Sequence, residues 1–243
     1  MRISWIATDW FRSDTYYASG GWRATWAGEG GGVLLNQCPH QLDLLQWLCG
    51  MPVRINGFCG LGKRHRIEVE DEVTVYMEYA NGATGVFITS TGEAPGTNRL
   101  EIAGDSGKIV LEGGRLQFWH NKVPASRFSR ISKETFRKPD VDFSETAFDE
   151  KDTGQHGAVI ANFVEAILDG VPTVAPAREG VRSVELANAA LYSSITGAPV
   201  ELPLDGRVYE RMLKRLIRDS KVSKAAGGRK AAGRSTRRIG GRR

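Results

Sequence analysis

Between Val73 and Thr91 the sequence alternates with a period of two, and no other feature limits the fold as strongly. Val73, Val75, Met77 and Tyr79 are apolar, and Thr74, Tyr76 and Glu78 fall between them. Asn81-Gly82 then separates this run from a second one, Thr84 to Thr91. Alternation puts one set of side chains on each side of a strand, and Asn-Gly readily takes the positive φ angles of a tight hairpin. Further short runs follow at Arg99 to Ala103, Lys108 to Glu112 and Arg115 to Trp119, joined by Gly104-Asp105-Ser106-Gly107 and Gly113-Gly114. The pattern predicts an antiparallel meander over the stretch 53–119, preceded by a strand at Ile3 to Thr8. Gly104 to Gly107 resembles the surroundings of a serine-protease nucleophile, but no matching histidine and aspartate accompany it, and it reads as a β-turn. The strand-helix-strand alternation of a parallel nucleotide-binding sheet is absent.

The stretch Gly30 to Gly50 is the candidate organiser of a site. Gly30, Gly31 and Gly32 permit a sharp turn and a close approach. Asn36 is expected to cap a helix that carries Pro39 in its first turn, runs to about Cys49 and is closed by Gly50 and Pro52. In that helix Asn36, His40, Asp43 and Trp47 share one face, and Leu44, Leu45 and Leu48 supply the apolar stripe. His40 can move protons, because the positive end of a helix favours the neutral imidazole that a general base needs. A hydrogen-bonded structural histidine is the competing reading.

Before it, the stretch 8–29 is a loop rich in aromatic and basic groups, among them Trp10, Arg12, Tyr16, Trp22 and Arg23. Aromatic faces pack on sugar C–H groups and guanidinium forks bind hydroxyls or carboxylates, so the loop suits a polyol; shielding of the core by the same aromatics is the alternative. His65, Glu68, Glu70 and Asp71 show no metal-ligand spacing and read as a strand entrance. After a polar, irregular excursion over 123–152, three helices are predicted: about Gly157 to Leu168, about Ala177 to Thr196 and about Asp205 to Arg218.

Of the 33 basic groups, nine lie between Lys221 and Arg243, where there is no acid, so the rest of the chain holds 24 bases against 28 acids. The division is therefore a domain over 1–218 and a basic, disordered tail over 219–243, either a solvated extension or a site for phosphate contacts with nucleic acid. Three cysteines without CxxC spacing suggest neither a disulfide framework nor zinc, and a reducing, cytoplasmic compartment is expected. No apolar run reaches the length of a membrane span.

With TDWFR before it and VEDEV and YANG after it, the segment Gly30 to Gly50 resembles the C-terminal domain of the Gfo/Idh/MocA oxidoreductases, the family of glucose-fructose oxidoreductase and inositol dehydrogenase. The likeness spans roughly Ile3 to Leu213. It implies an α+β fold, a largely antiparallel open sheet with helices on one face, whose other face serves oligomerisation. It also implies NAD or NADP chemistry at a secondary alcohol of a sugar or cyclitol. The family's Asp-x-x-x-His pair falls on Asn36 and His40, so those two become the catalytic candidates, and Arg12, Trp22, Arg23 and His156 the substrate-binding ones. Asn36 departs from the usual aspartate. Gly-x-Gly-x-x-Gly, its acidic partner and Glu-Lys-Pro are all missing, so the resemblance implies the second domain without the nucleotide half, inactive and cofactor-free on its own. A non-catalytic ligand-binding or oligomerisation module, joined to itself or to a full-length paralogue, is the alternative.

Overall fold

The structure, a computed structural model, describes residues 1–148 and 155–220. From 221 onward the basic tail lies outside the described residues. The first part of the chain holds β1 (Arg2–Ala7), α1 (Asp14–Ala18), α2 (Val33–Asn36), α3 (Pro39–Cys49) and β2 (Arg54–Leu61). The meander continues with β3 (Glu70–Glu78), β4 (Thr84–Ser90), β5 (Asn98–Gly104), β6 (Gly107–Glu112) and β7 (Arg115–Asn121). The last part holds α4 (Ala125–Ile131), β8 (Val141–Ala147), α5 (Gln155–Leu168), α6 (Gly180–Thr196), β9 (Val200–Glu201) and α7 (Gly206–Asp219).

All nine strands form one sheet in the order β8-β7-β6-β5-β1-β4-β3-β2-β9. Among the described residues only β1 and β4 pair in parallel; every other pair is antiparallel. The fold is thus the expected α+β arrangement. Alternation works as predicted: Ile3, Trp5, Ile55, Val73, Val75, Met77 and Phe87 point to one face and are buried. That face is covered by α2, which lies on β3 and β4, and by α6, which packs on β2 and α3. A second apolar cluster joins Tyr17, Ala24, Trp26, Val69 and Leu191 to Tyr209 and Met212 of α7. The opposite face carries cross-strand ion pairs, Arg2 with Glu101, Arg99 with Glu112, Arg54 with Glu78 and Arg115 with Glu145, and an in-strand pair of Arg99 with Glu101.

The meeting of β2 with α6 is unusually close. Beyond Ile55, β2 has no pairing with β9, and hydroxyls of α6 take over: Gly57 N–H donates to Ser193 Oγ at 3.0 Å and Cys59 N–H to Ser194 Oγ at 2.8 Å. Satisfying an edge in this way removes unpaired donors from the interior. Glycine is required there, because a Cβ on Gly57 would stand 2.1 Å from the carbonyl oxygen of Ala190.

Several sequence expectations need correction. Asn36 does not cap the long helix: it ends α2, and α3 begins after Cys38 with Pro39 in its first position. The buried face of α3 is Leu42, Leu45 and Gln46, while Leu44, Trp47 and Leu48 are exposed, so Leu45 alone of the expected stripe faces inward. The loop after β1 contains α1, started by Ser13, whose hydroxyl accepts from Tyr16 N–H. The excursion over 123–152 contains α4 and the edge strand β8; every side chain of β8 is exposed, so burial left no periodicity in its sequence. α5 has the expected apolar residues, but Ile160, Phe163, Ile167 and Leu168 all face solvent. The Gly104–Gly107 segment is a turn, and Asp105 accepts from the N–H and hydroxyl of Ser126 at the start of α4.

Replacing Gly57 by alanine should push α6 off the strand edge and lower unfolding free energy by about 2–3 kcal/mol. Gly104→Ala, where nothing lies within 4 Å of the added methyl, should leave it nearly unchanged. Urea denaturation of the two variants beside the wild type checks this.

Candidate functional site

Two adjacent acidic side chains at the start of β3, Glu70 and Asp71, are fully buried. Glu70 lies beneath the glycine turn. Its Oε1 accepts from Gly32 N–H at 2.7 Å and Leu34 N–H at 3.2 Å, the free amides of the first turn of α2. The turn fits so tightly that a Cβ on Gly32 would lie 2.0 Å from the Glu70 carbonyl oxygen. Oε2 has no hydrogen-bond partner among the described residues. Burial pushes the Glu70 carboxyl up to about 7, against the pull of the Gly32 and Leu34 amides.

Asp71 is tied down differently. It accepts from the backbone N–H groups of Lys63, Arg64 and His65 at 2.8–3.0 Å and lies 3.0 Å from His65 Nδ1. Glu68, the third acid of this segment, accepts from Trp26 N–H and from the Ser220 hydroxyl. Among the described residues no group of three or more His, Cys, Asp or Glu side chains could hold a metal ion.

α2 delivers Asn36 to the surface, where α1 and the preceding loop meet it. Tyr16 is the centre of this cluster. Its hydroxyl donates to Asn36 Oδ1 at 3.0 Å and receives bonds from Arg23 Nη1 at 2.9 Å and Gln37 Nε2 at 3.1 Å. The Arg12 and Arg23 guanidiniums lie 5.2 and 4.6 Å from the centre of its ring, and Arg23 also covers Trp22 at 4.5 Å. Asn36 in turn donates to Glu29 Oε1 at 2.5 Å. An aspartate there would set two carboxyl groups against each other, so asparagine suits the position. The other oxygen of Glu29 holds the N–H of Ala24, a buried residue in the left-handed region at φ 51°.

The structure therefore brings Arg12, Trp22, Arg23 and Asn36 together around Tyr16. His40 is exposed in the first turn of α3. His156 lies apart, exposed on the first turn of α5. Gln37 and Glu29 were not foreseen as site residues, and Tyr16 was named only among the aromatics of the loop; their convergence is recognisable only once α1 is folded beside α2. Among the described residues, one cleft of 390 Å³ is bounded by Asp43, Trp47 and Glu179, another of 440 Å³ by Trp5, Gln41, Leu44 and Phe148, and a smaller one of 230 Å³ lies beside α1, lined by Asp14, Tyr17, Ala18 and Arg66.

Residues 2–110 match the family profile described as GFO/IDH/MocA C-terminal domain. That segment belongs to this family. Among solved structures, the WlbA dehydrogenase of Chromobactrium violaceum, in complex with NADH and UDP-GlcNAcA, is 27% identical with a TM-score of 0.66, over 84% of this chain and 55% of that one. Levoglucosan dehydrogenase, in complex with NADH, is 20% identical with a TM-score of 0.61, over 84% and 58% respectively. A curated relative, the uncharacterized protein y4oX of Sinorhizobium fredii, is 24% identical over 176 residues, 70% of this chain and 47% of its own length. The chain thus spans about half the length of these relatives. The GFO/IDH/MocA C-terminal segment runs from β1 into β6 and contains the whole Tyr16 cluster as well as Glu70 and Asp71.

Because burial raises the Glu70 carboxyl, its contribution to stability is full below about 4.5 and is lost as pH rises through about 7. Relative to the wild type, Glu70→Gln should gain about 3 kcal/mol between pH ~4.5 and pH ~8. Thermal melts across that range check it, and a pH-independent difference would contradict it.

Proposed function

We propose that this domain is the substrate-binding half of an NAD(P)-dependent oxidoreductase that acts on a secondary alcohol of a sugar or cyclitol. The observation that supports it best is the Tyr16 cluster, where two guanidiniums, an exposed indole and a carboxamide converge on one open surface. Such a surface suits a polyol: the indole packs on C–H groups, and the guanidiniums grip hydroxyls or a carboxylate. Three of the structural relatives hold a sugar nucleotide or levoglucosan beside NADH. In this reading Asn36, with Glu29 behind it, orients the substrate hydroxyl and exposed His40 takes its proton.

In this reading the glycine turn does not hold the dinucleotide. The amides of the glycine turn that would cradle a pyrophosphate already face the carboxylate of Glu70, and a second anion would be repelled there. We assign no step of hydride transfer to this chain, and the nucleotide falls to a separate nucleotide-binding domain. The ion-paired open face of the sheet, with exposed Phe58, Tyr76 and Phe143 among its charges, is the surface we assign to pairing with a second copy.

Calorimetric titration with UDP-GlcNAcA and with levoglucosan tests the reading. Saturable binding of at least one, weakened about tenfold or more by Arg12→Ala and by Trp22→Ala, is expected. Absence of binding to either, or binding indifferent to both substitutions, would remove it.

A further inference from the structure

We propose that His65 is a positioning residue of the Tyr16 cluster: its imidazole bridges buried Asp71 and the backbone carbonyl of Arg12, and so holds that arginine over the Tyr16 ring. The inference rests on the sugar-binding reading only for its consequence, not for its geometry. His65 Nδ1 lies 3.0 Å from Asp71 Oδ2, and Nε2 lies 2.8 Å from the Arg12 carbonyl oxygen. A carbonyl can only accept. Asp71 Oδ2 already accepts from the N–H groups of Arg64 and His65. Both ring nitrogens thus face acceptors, Nδ1 the Asp71 carboxyl and Nε2 the Arg12 carbonyl, and the geometry places each to donate.

The surroundings make this a clamp rather than a surface contact. The His65 side chain is 7% exposed and that of Asp71 is 0% exposed. The ring of Tyr17 packs on the imidazole, with centroids 4.8 Å apart, and the Tyr17 hydroxyl pairs with Thr91 Oγ1 at 2.7 Å. Thr91 closes the loop of bonds: its N–H donates to the Asp71 carbonyl and its carbonyl accepts from Arg12 N–H at 2.8 Å. Arg12 is thus held on both sides of its α-carbon, by Thr91 through N–H and by His65 through C=O. Its guanidinium then stands over Tyr16, whose hydroxyl bonds Asn36. The charged groups around the imidazole are Asp71 on β3, Arg12 on the facing loop, and Lys63, Arg64 and Arg66 on its own segment; the Tyr17 phenol, pushed up to about 12 chiefly by burial, is neutral. Lys63 and Arg64 are engaged by Glu72, which leaves the imidazole as the side-chain partner of Asp71.

The test uses the protein with ¹⁵N-labelled histidine in slightly acidic buffer. Two ring N–H signals of His65, protected from exchange with water, are expected; exposed imidazoles lose theirs to fast exchange. In His65→Phe, which fills the ring volume without donors, the Arg12 amide should exchange about tenfold faster or more, while α6 amides keep their wild-type rates. UDP-GlcNAcA affinity should fall in His65→Phe, and this loss should vanish in an Arg12→Ala background. A single ring signal, or an unchanged Arg12 exchange rate, would overturn the clamp. Accelerated Arg12 exchange with unchanged affinity would keep the clamp and overturn the sugar-binding reading instead. If His65→Phe does not fold, His65→Gln, which retains one donor, gives the same comparison.

Discussion

Two neighbouring acidic side chains are withdrawn from water at the mouth of β3, and the rest of the site depends on how each is compensated. Burying a charged group without partners costs several kcal/mol, so such a pair persists only where donors meet it. Glu70 is met by the amides of the glycine turn, which fixes where α2 starts and hence where Asn36 emerges. Asp71 is met by three consecutive amides and by His65, which fixes the loop that carries Arg12. One strand end thereby sets both sides of the Tyr16 cluster.

The sheet makes that arrangement stiff. β3 is a central strand, paired along its length with β2 and β4, and its buried face meets α2 directly. Outside this region the fold is less evenly covered. The face of α3 that bears Trp47, and the apolar residues of α5, stand in solvent. The Tyr16 cluster is exposed at the surface between α1 and α2.

The sheet was legible in the sequence because its signal is local. Val73 to Tyr79 alternate, Asn81-Gly82 turns, and each buried side chain sits where the pleat puts it. Edge strand β8 was not, since a strand exposed on both faces leaves no apolar period. Helix faces were read less well than helix positions. Leu44 and Leu48, or Val181 and Val184, are as apolar as the residues that do face inward, and only the partner surface decides which set is buried. Of the site, Arg12, Trp22, Arg23 and Asn36 could be named from residue type and from the family pattern. Glu29 and Gln37 could not, nor could the central place of Tyr16 among the loop's aromatics, because these come from α1 and the 20–29 loop folding against α2. The pair Glu70-Asp71 was visible as two acids opening an apolar strand, an anomaly that burial and backbone amides now explain.

Native-state hydrogen exchange at the amides of Gly32, Leu34, Lys63, Arg64 and His65 tests most directly whether the buried pair organises the site. All five should exchange far more slowly than an unprotected loop, with protection approaching that of the β3 core amides. Exchange of these amides at the rate of an open loop, in a protein whose β3 amides remain protected, would show that the pair does not hold the turn and the His65 segment, and would contradict its role as the organiser of the Tyr16 cluster.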